Sequence, residues 1–253
     1  MKNLNQFLGI AILASMVFSC GNSDKNTNNL AKETTTLGIE KPINSVLTAE
    51  EQASMTPDEI IGRLKKGNEN FVNNNLTQRD HSEQRRKSAI GQYPKAIVLS
   101  CVDSRVPVED VFDLGIGDIF VARVAGNIEN RDIIGSMEFA SAVAGSKLVI
   151  VLGHTSCGAV KHAIDNTDAS ALNMTALDGL LQEIKPSVAM TAKNGDVSSK
   201  NIPFTNSVIK NNALKTVDDI RKASPKMAAL EREGKIKIVA AVYNMETGKV
   251  DFM

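Results

Sequence analysis

Residues 96–105, AIVLSCVDSR, and residues 148–158, LVIVLGHTSCG, are the two stretches whose reading decides the fold. Each opens on a short unbroken apolar run, Ala96–Leu99 and Leu148–Leu152. Runs of that length, without alternation, read as strands buried in a parallel sheet. Cys101–Arg105 and Gly153–Gly158 therefore sit at carboxyl strand ends. In an open α/β sheet the crevice beyond those ends is where ligands bind. Two thiols, an imidazole, a carboxylate and a guanidinium can converge there.

Cys101, His154 and Cys157 supply two sulfurs and a nitrogen, which makes three zinc ligands. Three protein ligands with a fourth position open is the pattern of a catalytic zinc, whereas closed four-ligand sets are structural. Such a zinc lowers the pKa of a bound water from about 16 to near 7 and so yields hydroxide at neutral pH. If the chain leaves the first strand still extended, Asp103 and Arg105 share a face with Cys101, because alternate residues point the same way. Asp103 could then accept the proton of the water while Arg105 holds the carboxylate in place.

These residues and spacings resemble the β-class carbonic anhydrases, whose pattern C-x-D-x-R followed by H-x-x-C is met by Cys101, Asp103, Arg105, His154 and Cys157. The resemblance covers roughly residues 56 to 253. It implies a mostly parallel sheet flanked by helices, with an antiparallel carboxyl-terminal edge strand and an amino-terminal helical arm. It also implies one zinc per chain and the reversible hydration of CO2 to bicarbonate and a proton. Gln92, nine residues before Cys101, falls where members carry a glutamine that bonds a substrate oxygen; Phe120 and Phe139 fall where the CO2 pocket is lined. Phe139 stands where many members have tyrosine, so a hydroxyl is missing. The chain has no tryptophan, and Val98 occupies the position where the bicarbonate-inhibited branch uses one. The resemblance thus points to the open form, with Asp103 paired to Arg105; in the closed form Asp103 would be the fourth zinc ligand. Members form dimers or larger assemblies with sites near the subunit boundary, which implies a homo-oligomer here.

At 253 residues the chain is long enough for one domain with extensions, and 42% hydrophobic and 23% charged content with zero formal net charge are ordinary for a soluble protein. Only Arg85–Lys87 forms a basic cluster, read as a solvated face, so nucleic-acid binding has no support. Residues 1–19 read as a signal peptide: Lys2 gives a positive end, Phe7–Phe18 is apolar, and small Ser19 precedes Cys20. The run VFSC before GNSDKNTNN resembles a bacterial lipoprotein signal, which implies lipidation of Cys20, membrane attachment, and an exported protein at the cell envelope, in the periplasm or outer membrane. Residues 20–47, rich in Asn, Thr, Lys and Ser, read as a flexible tether before a domain spanning 48–253.

Thr56, Pro57 and Glu59 form a helix start, and Ile60, Ile61, Leu64 and Phe71 continue at helical spacing to Asn73. A polar connection follows from Asn73 to Lys87. Strands are placed near 95–100, 118–123, 147–152, 235–243 and 249–253. Helices are placed near 107–113, 132–144, 157–165, 175–190, 206–222 and 225–233, with Gly195–Asn206 a surface loop.

Gly115, Gly117 and Gly126 do not form a dinucleotide fingerprint and read as tight turns or close packing. Gly158, at a helix start beside Cys157, could offer an N–H to an oxyanion of bicarbonate. His81 and His162 are of a residue type suited to proton transfer, His162 being nearer the site on the helix after Cys157, but both read as surface residues. Two rival functions stand beside hydration of CO2. One is hydrolysis of another linear molecule, carbon disulfide or carbonyl sulfide; the other is a non-catalytic zinc or thiol-redox protein in which Cys101 and Cys157 pair.

Overall fold

The computed structural model describes residues 41–253. The signal peptide, Cys20 and most of the expected tether lie outside the described residues.

Five strands form one sheet: β1 (Ala96–Ser100), β2 (Ile119–Arg123), β3 (Leu148–His154), β4 (Lys237–Tyr243) and β5 (Val250–Phe252), in the order β2-β1-β3-β4-β5. The first four run parallel, with Ala96 opposite both Ile119 and Leu148; β5 returns antiparallel, Val242 facing Asp251. The central strands β1 and β3 are buried along their whole length. Alternation then splits their side chains between two cores. Ala96, Val98, Leu148 and Ile150 face Ile60 and Leu64 of α2 (Pro57–Val72) and Val108 and Val111 of α4 (Val108–Val111). Ile97, Leu99, Val149 and Val151 face Met137 of α5 (Arg131–Glu138), Val217 and Ile220 of α8 (Ile202–Ala223), and Met227 of α9 (Pro225–Arg232). Beyond the carboxyl ends of the strands, α6 (Gly158–Ile164), α7 (Thr175–Met190) and α8 close a third apolar cluster around Cys101 and Cys157.

Two short helices lie where the sequence offers no apolar stripe. Helix α1 (Ala49–Ser54) starts at a reciprocal capping box of Thr48 and Glu51. Its buried Gln52 donates to the carbonyls of Pro94, at 2.9 Å, and Ala144, at 2.8 Å. Helix α3 (His81–Ser88) falls inside the expected polar connection; Asp80 caps it, and its one buried residue, Gln84, donates to the Ser45 carbonyl. The chain before α3 is tied by Asp113, whose carboxylate accepts from Asn70, Thr77 and Arg79. Within the span expected as tether, Ile43 exchanges backbone hydrogen bonds with Gln78 and Asp80.

Helix α8 begins before the expected boundary, inside the stretch read as a surface loop. Asn201 caps it by accepting from the Phe204 N–H, Pro203 fits the first turn, and Phe204 and Thr205 are buried. The helix expected over 132–144 is continuous, but Phe139–Val143 is a π turn, closed by the Ala144 N–H on the Phe139 carbonyl.

Gly67 lets α2 lie directly on the chain after α4: a Cβ there would stand 1.9 Å from the Phe112 carbonyl oxygen. Gly67→Ala is expected to lower stability by roughly 2 kcal/mol, the overpacking cost outweighing a helix-propensity gain of about 1 kcal/mol. Gly62→Ala on the same helix meets nothing within 4 Å. It should raise stability by roughly 0.5–1 kcal/mol. Urea denaturation midpoints of the two variants check both signs; equal midpoints would remove the close-approach argument.

Candidate metal centre

Cys101 follows β1 directly, His154 is the last residue of β3, and Cys157 caps α6, so two adjacent strand ends and a helix start bring the three together. Between His154 and Cys157 the chain reverses through Ser156 at φ 60°. That turn is anchored to the end of β4: the Thr155 N–H donates to the Tyr243 carbonyl at 2.9 Å, and Thr155 Oγ1 accepts from the Met245 N–H at 2.9 Å.

One donor atom from each of the three residues lies within 4.8 Å of the others. Relative exposures are 4% for Cys101, 0% for His154 and 1% for Cys157, so the donors face apolar protein and one another. Both cysteines are free. His154 Nδ1 lies 2.9 Å from the Thr155 carbonyl, which makes Nδ1 the protonated nitrogen. Nε2 is then a buried lone pair, and no protein group bonds to it. An orphaned acceptor at such depth is costly, and a cation between it and the two sulfurs would satisfy it. Two thiolates and a neutral imidazole suit a borderline-soft divalent ion.

The two sulfurs differ in charge. Cys101 is pushed toward thiolate because it accepts from the Cys157 thiol and from the Gly126 N–H; that contact with Cys101, together with burial, holds the proton on Cys157. Gly126 reaches Cys101 Sγ at 3.3 Å from a turn at φ 71°. Arg123, the last residue of β2, clamps the loop from the other side by donating to the carbonyls of Cys101, at 2.9 Å, and Val106, at 2.6 Å.

Asp103 and Arg105 lie beside the candidate ligands, by a different route from an extended strand. The segment turns at once: Asp103 Oδ1 accepts from the Arg105 N–H at 3.0 Å, folding the guanidinium back onto its own carboxylate. Arg105 Nε then donates to Oδ1 at 2.9 Å and Nη2 to Oδ2 at 2.7 Å. These bonds hold the Asp103 carboxyl down at about 2. Oδ2 stands 3.8 Å from His154 Nε2, at the rim of the ligand set.

Gly158 is exposed beside Cys157 as the first residue of α6. The remaining expected pocket residues are elsewhere in the protomer. Phe120 and Phe139 pack edge to face, ring centres 6.1 Å apart, in a cleft of about 780 Å³ whose lining includes Ile97, Ala122 and Ile133 but no metal ligand. Phe120 is level with Ile97, four residues before Cys101 and so roughly 13 Å back along the strand. Gln92 is exposed ahead of β1, at the opposite end of that strand from Cys101. His162 is exposed, with Nδ1 3.0 Å from Thr167 Oγ1. Gly115 and Gly117 serve close packing and a turn as expected, whereas Gly126 also serves the site. The parts that sequence reading missed are the Arg123 side chain, which donates to two main-chain carbonyls, and the Gly126 N–H on Cys101 Sγ; both bonds use main-chain groups that carry no motif.

A parallel α/β sheet with a Cys-His-Cys set and a carboxylate–guanidinium pair at its carboxyl edge defines the class: an α/β metalloprotein with the equipment of a hydrolytic or hydrating enzyme. The family model for carbonic anhydrase matches residues 96–250, and the chain belongs to the carbonic anhydrase family. Carbonic anhydrase 2 of Mycobacterium tuberculosis is 32% identical over 187 residues, covering 74% of this chain and 87% of that one. The fold is that of the tetrameric β-carbonic anhydrases from Sordaria macrospora, with a TM-score of 0.60 at 21% identity over 67% of this chain and 85% of theirs. A carbon disulfide hydrolase of Saccharolobus solfataricus matches over a shorter stretch, 30% identical over 95 residues, 38% of this chain and 47% of that protein.

Proposed function

We propose that this protein is a zinc enzyme that interconverts CO2 and bicarbonate, with Cys101, His154 and Cys157 holding the metal. The observation that carries the reading is the buried, unbonded Nε2 of His154 beside two free thiols, with an ionised Asp103 at the rim. Zinc, when bound, supplies hydroxide from water near neutral pH. The chain's own residues do the rest. Asp103 Oδ2 accepts a hydrogen bond from the nucleophile and so turns its lone pair toward carbon. Arg105, spread across both carboxylate oxygens, keeps Asp103 charged and fixed. The apolar shell of Val160, Ile184 and Ile209 around the ligands excludes water from their far side.

CO2 is a small apolar molecule, suited to a phenylalanine-lined pocket with Gln92 on one oxygen. Those three residues lie away from the metal ligands of the same protomer, so we place the substrate pocket at a boundary between two copies and read the enzyme as at least a dimer. The test is zinc content, CO2 hydration and carbon disulfide hydrolysis on one preparation across about pH 6.5 to 9. About one zinc per chain with hydration as the faster reaction is expected. Zinc without hydration at any pH would overturn the reading, and faster turnover of carbon disulfide would replace its substrate.

We also propose that Cys20 is lipidated and tethers the enzyme to the cell envelope. Cys20→Ala should move the protein from the membrane fraction to the soluble one with hydration retained; unchanged fractionation would remove the anchor.

A further inference from the structure

Two polar side chains in the third core have no part in the reading above. Asn212, in the middle of α8, is 1% exposed, and Ser187, on α7, is fully buried. Asparagine is a poor residue for a helix interior, and its amide is costly to bury without partners. Its neighbours Ile209 and Ala213 pack as ordinary core, so leucine would serve helix packing alone at least as well.

The partners of Asn212 form a line that ends at the site. Ser187 Oγ donates to Asn212 Oδ1 at 3.1 Å. Asn212 Nδ2 donates to the Gly126 carbonyl at 2.8 Å, and the Gly126 N–H donates to Cys101 Sγ at 3.3 Å. Ile184 of α7 presses on the same glycine: a Cβ at Gly126 would come within 2.6 Å of Ile184 Cδ1. Helices α7 and α8 thus hold Gly126 by its carbonyl and by its open Cα face, and leave its N–H one direction to point.

We propose that Asn212, backed by Ser187, is a positioning residue for the metal centre: it fixes the turn that delivers the Gly126 N–H to Cys101 Sγ. A thiolate that accepts a hydrogen bond gives less of its charge to a bound cation. The relay therefore sets how far Cys101 neutralises the metal, and through it how strongly the open position acidifies what sits there. This inference rests on Cys101 being a metal ligand.

The test uses the cadmium-substituted protein, whose thiolate-to-metal charge-transfer band reports the energy of the sulfur lone pairs. Asn212→Leu keeps the side-chain volume and removes the donor, so the band should move to longer wavelength. Ser187→Ala should move it the same way by less. Val217→Ala, a buried loss on the sheet-facing side of α8, should lower stability with the band in place. With zinc restored, Asn212→Leu should lower kcat about tenfold at neutral pH with KM little changed. Bands for Asn212→Leu and Ser187→Ala that coincide with the wild type overturn the proposal, and if Asn212→Leu does not fold, Ser187→Ala decides alone. Absence of any thiolate band in the cadmium-treated wild type would instead mark failure of the ligand assignment.

Discussion

Cys157→Ser is expected to purify without metal and to lose CO2 hydration by at least about 10³-fold, since the reaction depends on hydroxide formed near neutral pH. Serine matches cysteine in shape, so the packing of the buried position is kept. What changes is the donor. A thiolate is a strong ligand for a borderline-soft cation, whereas a serine hydroxyl keeps its proton. Two ligands then remain, and the buried Nε2 of His154 loses the charge that would satisfy it. The loss should also appear in folding. Zinc at about 1,000 times its dissociation constant stabilises a native site by roughly 4 kcal/mol. The wild type should therefore melt at a higher temperature with zinc than after chelation, and the variant should melt at one temperature in both. Metal analysis, stopped-flow hydration and paired melts check this. A variant that keeps one zinc and a tenth of the activity would remove Cys157 from the ligand set.

The legible part of this protein is the part built by continuous apolar runs. β1 and β3 are covered on both faces, so their sequences have no polar breaks until the chain reaches the carboxyl edge, and there the candidate ligands Cys101 and His154 sit. What escaped reading has one physical cause in common: it is held by hydrogen bonds from isolated polar side chains. Helices α1 and α3 dock through the amides of Gln52 and Gln84, which leave no periodic signature. Asp103 was expected to reach the site by strand alternation and reaches it by a side-chain turn onto Arg105. The start of α8 looked like loop because its signals, Asn201 and Pro203, also mark loops; only the burial of Phe204 separates the two. Gln92, Phe120 and Phe139 are residue types suited to a pocket, but residue type does not set distance, and in the protomer they lie away from Cys101, His154 and Cys157.

Asp103→Asn is the other large effect expected, a fall in kcat of about 10²–10⁴ with metal content unchanged. The variant is nearly isosteric. Its Oδ1 can still accept from the Arg105 backbone N–H, so the turn after Cys101 should survive. Its Nδ2, however, puts a donor where Oδ2 accepts from Arg105 Nη2, so that bond and the acceptor at the rim of the ligand set are lost. The pH dependence separates this role from a structural one. With the Asp103 carboxyl held at about 2 by its bonds to Arg105, it stays ionised at every pH where the enzyme is assayed. Its own titration therefore sets no limb of the activity profile. The variant should lie below the wild type throughout about pH 6 to 9, with no limb gained or lost. Folding follows the opposite end of the scale. A carboxyl whose folded value lies below the unfolded value of about 3.9 adds stability that is full above that value and is lost as pH falls toward about 2. The wild type should thus lose stability between about pH 4 and 2 more steeply than Asp103→Asn, which lacks that group. A variant with more than a third of wild-type kcat would end the catalytic assignment, and one that also sheds its metal would make Asp103 a structural support of the ligands.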